Sequence, residues 1–214
     1  MAGASSDPAP IDAIPAGNHY APTTARGRAT RQRLLDAAIA EFGEKGFHAA
    51  SVSAITTRAG IGQGTFYIYF ASKDACYAVA TEATSRALRR ALLRGFGSLS
   101  LVDNLRASFD AYFAFCAEQR MAMRALDEAS FVAPDIWRAH MERLVHSYAD
   151  LLDRYARQRG ARTDRDFEAL GIVGALQSAA RLVAERLDGG DESAAKDGAD
   201  ALAAMLLSGL GEAA

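Results

Sequence analysis

The stretch Ser51–Lys73, SVSAITTRAGIGQGTFYIYFASK, constrains this chain more than any other. Ser51 suits an N-cap, and Val52, Ile55 and Ala59 recur at the spacing of one buried helical face. Ala59-Gly60-Ile61 then predicts a tight corner. The small residue lets two helices cross closely, the glycine takes positive φ without a Cβ penalty, and the isoleucine fills the space between them. A short helix over 63–70 follows, burying Phe66 and Phe70 at i and i+4. That leaves Gln63, Gly64, Thr65, Tyr67, Ile68 and Tyr69 for the outer faces. Two tyrosines and an isoleucine facing water imply a partner that covers them.

Charge narrows the choice of partner. The 214 residues carry a net charge of −2. Between Arg26 and Lys73, however, seven basic residues face three acidic ones, a local +4 that leaves −6 for the rest. A basic module on an acidic body is the asymmetry of a protein that meets phosphates at one end. Half the residues are apolar, with Ala, Leu and Arg dominant and β-branched alternation missing, so the expected fold class is all-α. Cys76 and Cys116 stand in neither metal nor redox spacing and read as small buried hydrophobes in a reducing cytosol; no metal or cofactor is indicated. No apolar run approaches the roughly 20 residues of a membrane span, and the first basic residue is Arg26, so secretion and membrane insertion lack a signal. A cytoplasmic protein without membrane partners is expected.

Residues 1–24 hold four of the five prolines among Ala, Ser, Asp and Gly, and read as a disordered tail. Thr30 is the expected N-cap of a first helix ending near Lys45, with Leu35, Ala38, Ile39 and Phe42 on its buried stripe and Gly46 as its stop. Arg26, Arg28 and Arg31, just ahead of that helix, are placed to reach along a phosphate backbone or into a minor groove. His48 reads as a surface residue of the next turn.

The run AGIGQGTFYIYFASKD resembles the DNA-binding signature of the TetR family of transcriptional regulators, A-G-[VI]-S-x-G-T-[LF]-Y-x-[HY]-F-x-[SN]-K-[DE]. The similarity covers about residues 30 to 76. It implies a three-helix helix-turn-helix head in which Thr65 and Tyr67 contact phosphate and base edges, while Tyr69 and Lys73 contact phosphate. Ser51 and Ser53 fall where the family's second helix meets the backbone or a base. The chain departs from the signature at Gly62, where serine is usual; glycine as N-cap costs only a few tenths of a kcal/mol but supplies no hydroxyl. Gly64 lets the backbone approach DNA. Gln63 suits bidentate pairing with adenine, and Ile68 suits packing on thymine methyls.

Beyond the head, a long helix over 72–94, capped by Ser72 with Asp74 in its first turn, is the natural lever into a larger body. Arg86, Arg90 and Arg94 form a basic stripe on it. The middle of the chain concentrates aromatic and sulfur side chains. Phe109, Tyr112, Phe113, Cys116 and Phe131, with Trp137, Met141 and Tyr148 on a helix begun by Pro134, are candidates to line an apolar effector cavity, the alternative being a plain core. Glu142, His146 and Asp150 share a face and read as a surface network. The helix after Thr163 or Asp164 is apolar around most of its circumference and needs cover on both sides. A second subunit is the simplest cover, with Leu170, Gly174 and Gln177 there and Leu202, Leu206 and Leu210 on a last helix over 199–210 as interface residues. The resemblance implies a four-helix dimer interface.

The expected organisation is a tail (1–24), a TetR-type head (25–73) and an effector-binding and dimerisation domain (74–214), with about nine helices in all. The expected function is a dimeric, ligand-responsive repressor of a pseudo-palindromic operator on double-stranded DNA, released by a small hydrophobic effector. No nucleophile–base pair, convergent carboxylates or metal spacing speaks for an enzyme. The alternative is a helical small-molecule-binding protein or enzyme with a vestigial head.

Overall fold

The computed structural model describes residues 22–97, 100–158 and 165–210. Among the described residues it contains nine helices and no strand. The head is α1 (Ala25–Ala49), α2 (Val52–Ala59) and α3 (Gln63–Tyr69). The long α4 (Lys73–Arg94) leaves it, and α5 (Leu101–Glu118), α6 (Arg120–Val132), α7 (Pro134–Gln158), α8 (Arg165–Asp188) and α9 (Ala194–Leu210) complete the body. Of the expected tail, residues 1–21 lie outside the described residues.

Local chemistry sets the boundaries. Ser51 Oγ accepts from the Ala54 N–H and Ser72 Oγ from the Ala75 N–H, each at 3.1 Å, so both expected caps are formed. Gly60 ends α2 in the left-handed region at φ 62°, and Gly46 kinks α1 at φ 79° where a stop was expected. The start of α1 differs from expectation. Thr24, not Thr30, is the cap, and the Thr30 hydroxyl donates back to the Arg26 carbonyl within the helix at 3.0 Å. ARGRATR holds no proline, and its one glycine, Gly27, donates its N–H to the Thr24 cap at 3.1 Å, so the segment joins α1 and places Arg26 and Arg28 in its first turn. At the other end, α9 starts at Ala194 rather than Ala199, because Asp191 and Ser193 close a short turn after Gly190 at φ 88°.

Two apolar cores form, and they part inside helices. The first joins Leu34, Phe42, Phe47, Ile55, Phe66 and Phe70 of the head to Cys76, Tyr77 and Ala80 of α4 and to Ala125, Ala129 and Ala133 beyond it. The second takes Leu88 and Leu92 of α4, Phe109 and Phe113 of α5, Met123 and Leu126 of α6, and the inner faces of α7, α8 and α9. Thus α4 serves the two cores with its two ends and α6 with different faces, and Trp137 packs against both. The pairing of α1 with α6 is the most extensive between any two helices. It is close because Gly43 has no side chain: a Cβ there would lie 2.3 Å from the Met121 carbonyl oxygen.

α8 corrects one sequence expectation. It has an 18-residue window of mean hydropathy 1.3, so by length and composition it is apolar enough to cross a membrane. In the fold it is a wall of the body, with Ala169, Ile172, Val173, Leu176, Ala180, Val183 and Leu187 buried.

Candidate nucleic-acid interface

The corner between α2 and α3 presents the second helix of the head outward. Phe66 and Phe70 are fully buried and fix α3 from below. Arg33 of α1 donates to the Ala59 carbonyl at 2.5 Å and reaches the Gly60 carbonyl at 3.4 Å. It therefore satisfies the C-terminal carbonyls of α2 at the point where the chain turns. Arg33 was not foreseen; its partners lie 26 and 27 residues away and no local pattern announces them.

On the outer side, Gln63 and Gly64 are exposed, Thr65 is half-buried, and Tyr67 and Ile68 each expose 56% of their surface. Ser51 and Ser53 of α2 are exposed beside them, as are Arg26 and Arg28 of α1. Arg28 donates to the Thr23 carbonyl at 2.7 Å, and Arg31 stacks 5.4 Å over the Phe70 ring. α3 has no acidic residue in its first turn, and Gly62 provides no side-chain cap. The Thr65 N–H is taken by the Gly62 carbonyl at 2.9 Å, and no side chain caps the positive end of α3. A Cβ on Gly62 or on Gly64 would meet nothing within 4 Å.

Two of the expected contact residues are engaged within the protein in this structure. Tyr69 is buried, 7% exposed, because it stands three residues after Phe66 and shares the inner stripe with Phe66 and Phe70. Lys73 does not extend into solvent. Its ammonium lies 2.7 Å from the Phe47 carbonyl and 3.0 Å from that of Ala50, with the Phe47 ring centroid 4.3 Å away. Arg58 is likewise occupied, paired with Glu44 and with the buried Glu41, which also binds Lys45.

The chain matches "Bacterial regulatory proteins, tetR family" over residues 34–80, which span the corner, the exposed face of α3 and the start of α4. A TetR-like transcriptional regulator from Rhodococcus sp. RHA1 superposes with a TM-score of 0.69 over 86% of this chain and 96% of that one, at 27% identity. Residues 34–80 carry a TetR-type DNA-binding module. The fatty acid degradation regulator FadR of Bacillus halodurans shares the fold, with a TM-score of 0.72 over 85% of this chain and 96% of that one, at 18% identity. Among curated relatives, the uncharacterized HTH-type transcriptional regulator YdgC of Bacillus subtilis is 37% identical over 100 residues, 44% of this chain. The chain covers 51% of the length of YdgC, and 32% of that of the HTH-type transcriptional regulator UidR of Escherichia coli, which is 45% identical over 28% of this chain.

Four of the aromatic side chains expected around a cavity are instead packed into the core. Phe109, Phe113 and Tyr148 are 0% exposed and Tyr112 is 2% exposed, so they line no preformed space that a water could enter. The Tyr148 hydroxyl meets Ser108 Oγ at 3.1 Å, and burial holds the Cys116 thiol protonated, pushed up to about 12. Phe131 departs from expectation altogether, standing 88% exposed on the last turn of α6. Trp137 and Met141 are half-buried at the edge of the core, and Gln177 Nε2 lies 2.7 Å from Met141 Sδ. Two ionisable groups are held off their ordinary values nearby. Burial, with Arg143 adding to it, pushes His140 down to about 4 as its Nδ1 pairs with Ser85 Oγ at 2.8 Å. Burial pushes Asp127 up to about 6 against a partial offset from Arg181. No group of three or more metal-ligating side chains occurs among the described residues.

The open apolar face lies on α8 and α9. Phe167, Leu170 and Leu182 of α8 and Met205 of α9 are at least half exposed. Between them, Gly171 and Gly174 have nothing within 4 Å of where a Cβ would stand. A groove of about 490 Å³ runs between the two helices past Ser178, Leu182, Ala201 and Met205. Of the expected interface set, Leu170 is on this face and Gly174 borders it. Gln177 is engaged with Met141, Leu206 is half-buried against the body core, and Leu202 is turned into that core. The side chain of Leu210 lies outside the described residues.

Proposed function

We propose that this chain is a homodimeric, cytoplasmic DNA-binding regulator of transcription, acting as a repressor that a small hydrophobic effector releases from a pseudo-palindromic operator. The observation that carries the reading is the outer face of α3, where Tyr67 and Ile68 are held open to solvent on a rigidly backed helix. In the proposed complex Gln63 pairs with adenine and Ile68 packs on thymine methyls. Thr65, Tyr67, Ser51 and Ser53 meet phosphates or base edges, and Arg26 and Arg28 follow the backbone from the first turn of α1. Tyr69 supports α3 from beneath. Two heads paired through the open face of α8 and α9 would read half-sites about 34–36 Å apart.

The effector enters a core that is closed in this conformation, so it binds by favouring an opened state of the body. The half-buried Trp137, which touches both cores, is the proposed entry. It is the single tryptophan of the chain, so its fluorescence reports occupancy. The deciding experiment is recovery of bound fragments from genomic DNA, followed by titration of the best fragment against salt. Binding that weakens steeply with salt and that Thr65→Ala and Gln63→Ala redirect or reduce supports the reading. Substrate turnover without such binding would replace it with the enzyme alternative.

A further inference from the structure

Lys73 is drawn toward phosphate by its resemblance to the family signature, yet its ammonium is occupied. Nζ lies 2.7 Å from the Phe47 carbonyl, 3.0 Å from that of Ala50 and 3.4 Å from that of His48, above the Phe47 ring. An ammonium has three N–H donors, and three carbonyls converge on it. These carbonyls belong to the segment just beyond the Gly46 kink, where helical partners run out and the helix dipole is negative. The same segment is gripped from the opposite side. Glu128 of α6 accepts the Phe47 N–H at 2.8 Å, so both backbone groups of Phe47 are taken by side chains of other helices. Gly46 lets Glu128 in: a Cβ there would be 3.1 Å from Oε1. The gripped turn runs directly into Ser51, the N-cap of α2. Wherever Lys73 and Glu128 hold residues 47–50, Ser51 and Ser53 follow.

We infer that Lys73 is a positioning residue, acting on DNA through the Phe47–Ala50 turn rather than through phosphate, with Glu128 as the other jaw of the clamp. The clamp joins the first turn of the lever and a body helix to the start of α2. Its bearing on DNA rests on the function proposed above; its existence does not.

The test uses the full chain with Lys73→Arg, Lys73→Met, Glu128→Leu and Glu128→Gln. Arginine keeps the charge that a phosphate contact needs, but its planar fork does not converge on three carbonyls. The clamp therefore predicts that Lys73→Arg and Lys73→Met both weaken binding of a 30-base-pair duplex, chosen by selection with the wild type, by about tenfold or more. The slope of log affinity against log salt stays as in the wild type. A phosphate role predicts instead that Lys73→Arg is tolerated and that Lys73→Met flattens the slope by about 0.9 for each subunit; that result overturns the inference. Amide hydrogen exchange without DNA gives the second readout. Exchange at Phe47 and over residues 51–55 should accelerate about tenfold in Lys73→Met and Glu128→Leu and recover in Glu128→Gln, which keeps an acceptor. Unchanged exchange overturns the clamp. Failure of the wild type to bind any duplex would remove the DNA reading, and exchange would still decide the clamp.

Discussion

Gly43→Ala is the substitution on which the head-to-body junction can be judged. In an ordinary helix interior the change stabilises by about 0.5–1 kcal/mol, because glycine has more conformational freedom to lose. Here the added Cβ would lie 2.3 Å from the Met121 carbonyl oxygen, 2.6 Å from its Cα and 2.7 Å from its carbonyl carbon. All three are backbone atoms, so no rotamer change relieves the clash, and α1 must back away from α6 by about 1 Å. A gap of that size forfeits about a quarter to a half of the dispersion energy at each contact it opens, along the most extensive helix pair in the protein. Overpacking of this kind costs about 1–3 kcal/mol, and a clash with backbone belongs at the upper end. The net loss is therefore about 2 kcal/mol, which at about 2–4 °C per kcal/mol lowers Tm by about 4–8 °C. Gly64→Ala is the matched control, since a Cβ there meets nothing within 4 Å and only the propensity gain remains. Thermal unfolding followed by circular dichroism should move the two variants in opposite directions. A Gly43→Ala protein as stable as the wild type would refute the close approach of α1 and α6.

Asp127 and His140 predict a paired pH effect. His140, pushed down from 6.5 to about 4, leaves the unfolded chain with the extra proton between those values, so its contribution falls as pH drops, by at most about 1.4 kcal/mol per unit. Asp127, raised from 3.8 to about 6, has the opposite sign: the folded chain holds the extra proton, and its contribution falls as pH rises through that window. The two slopes oppose each other over about pH 4–6, so Asp127→Asn should steepen the loss of Tm on acidification and His140→Gln should reverse it; variants that both keep the wild-type profile would contradict the assignment. Gly62→Ser supplies the missing hydroxyl cap of α3 and should raise stability by a few tenths of a kcal/mol in denaturant titrations. Leu182→Glu places a charge on the open face of α8. It should shift the protein toward monomer in sedimentation velocity and weaken duplex binding, and a dimer of undiminished stability would move the interface elsewhere.

Features governed by neighbours in sequence were legible. Ser51 and Ser72 cap as expected because a hydroxyl three residues ahead of an N–H suffices, and Gly60 turns left-handed because little else tolerates that φ. Thr30 is not the cap because Thr24 lies six residues earlier and Gly27 alone does not stop the helix, so the nearest apolar stripe is an unsafe guide to where α1 begins. Tyr69 misled because the i,i+4 pair Phe66 and Phe70 was read without its i+3 member. The aromatic middle was recognisable as apolar, but whether side chains meet or leave a void depends on how four helices interlock, which no spacing encodes. Arg33, Glu128 and the engagement of Lys73 depend on partners 23 to 81 residues away. Gly43 looked like any helical glycine until Met121 was beside it.

The sharing of α6 between the two cores bears on how such proteins can be recombined. Ala125, Ala129 and Ala133 close the head core from the far side of some 50 intervening residues, so a graft cut just after Lys73 would separate the head from the surface that backs it. A working chimera should carry α6 along with the head it serves, or be given a head whose α1 offers a glycine at the matching turn. Exchange of α3 between relatives is thus constrained less by its own seven residues than by the fit of α6 behind the head core.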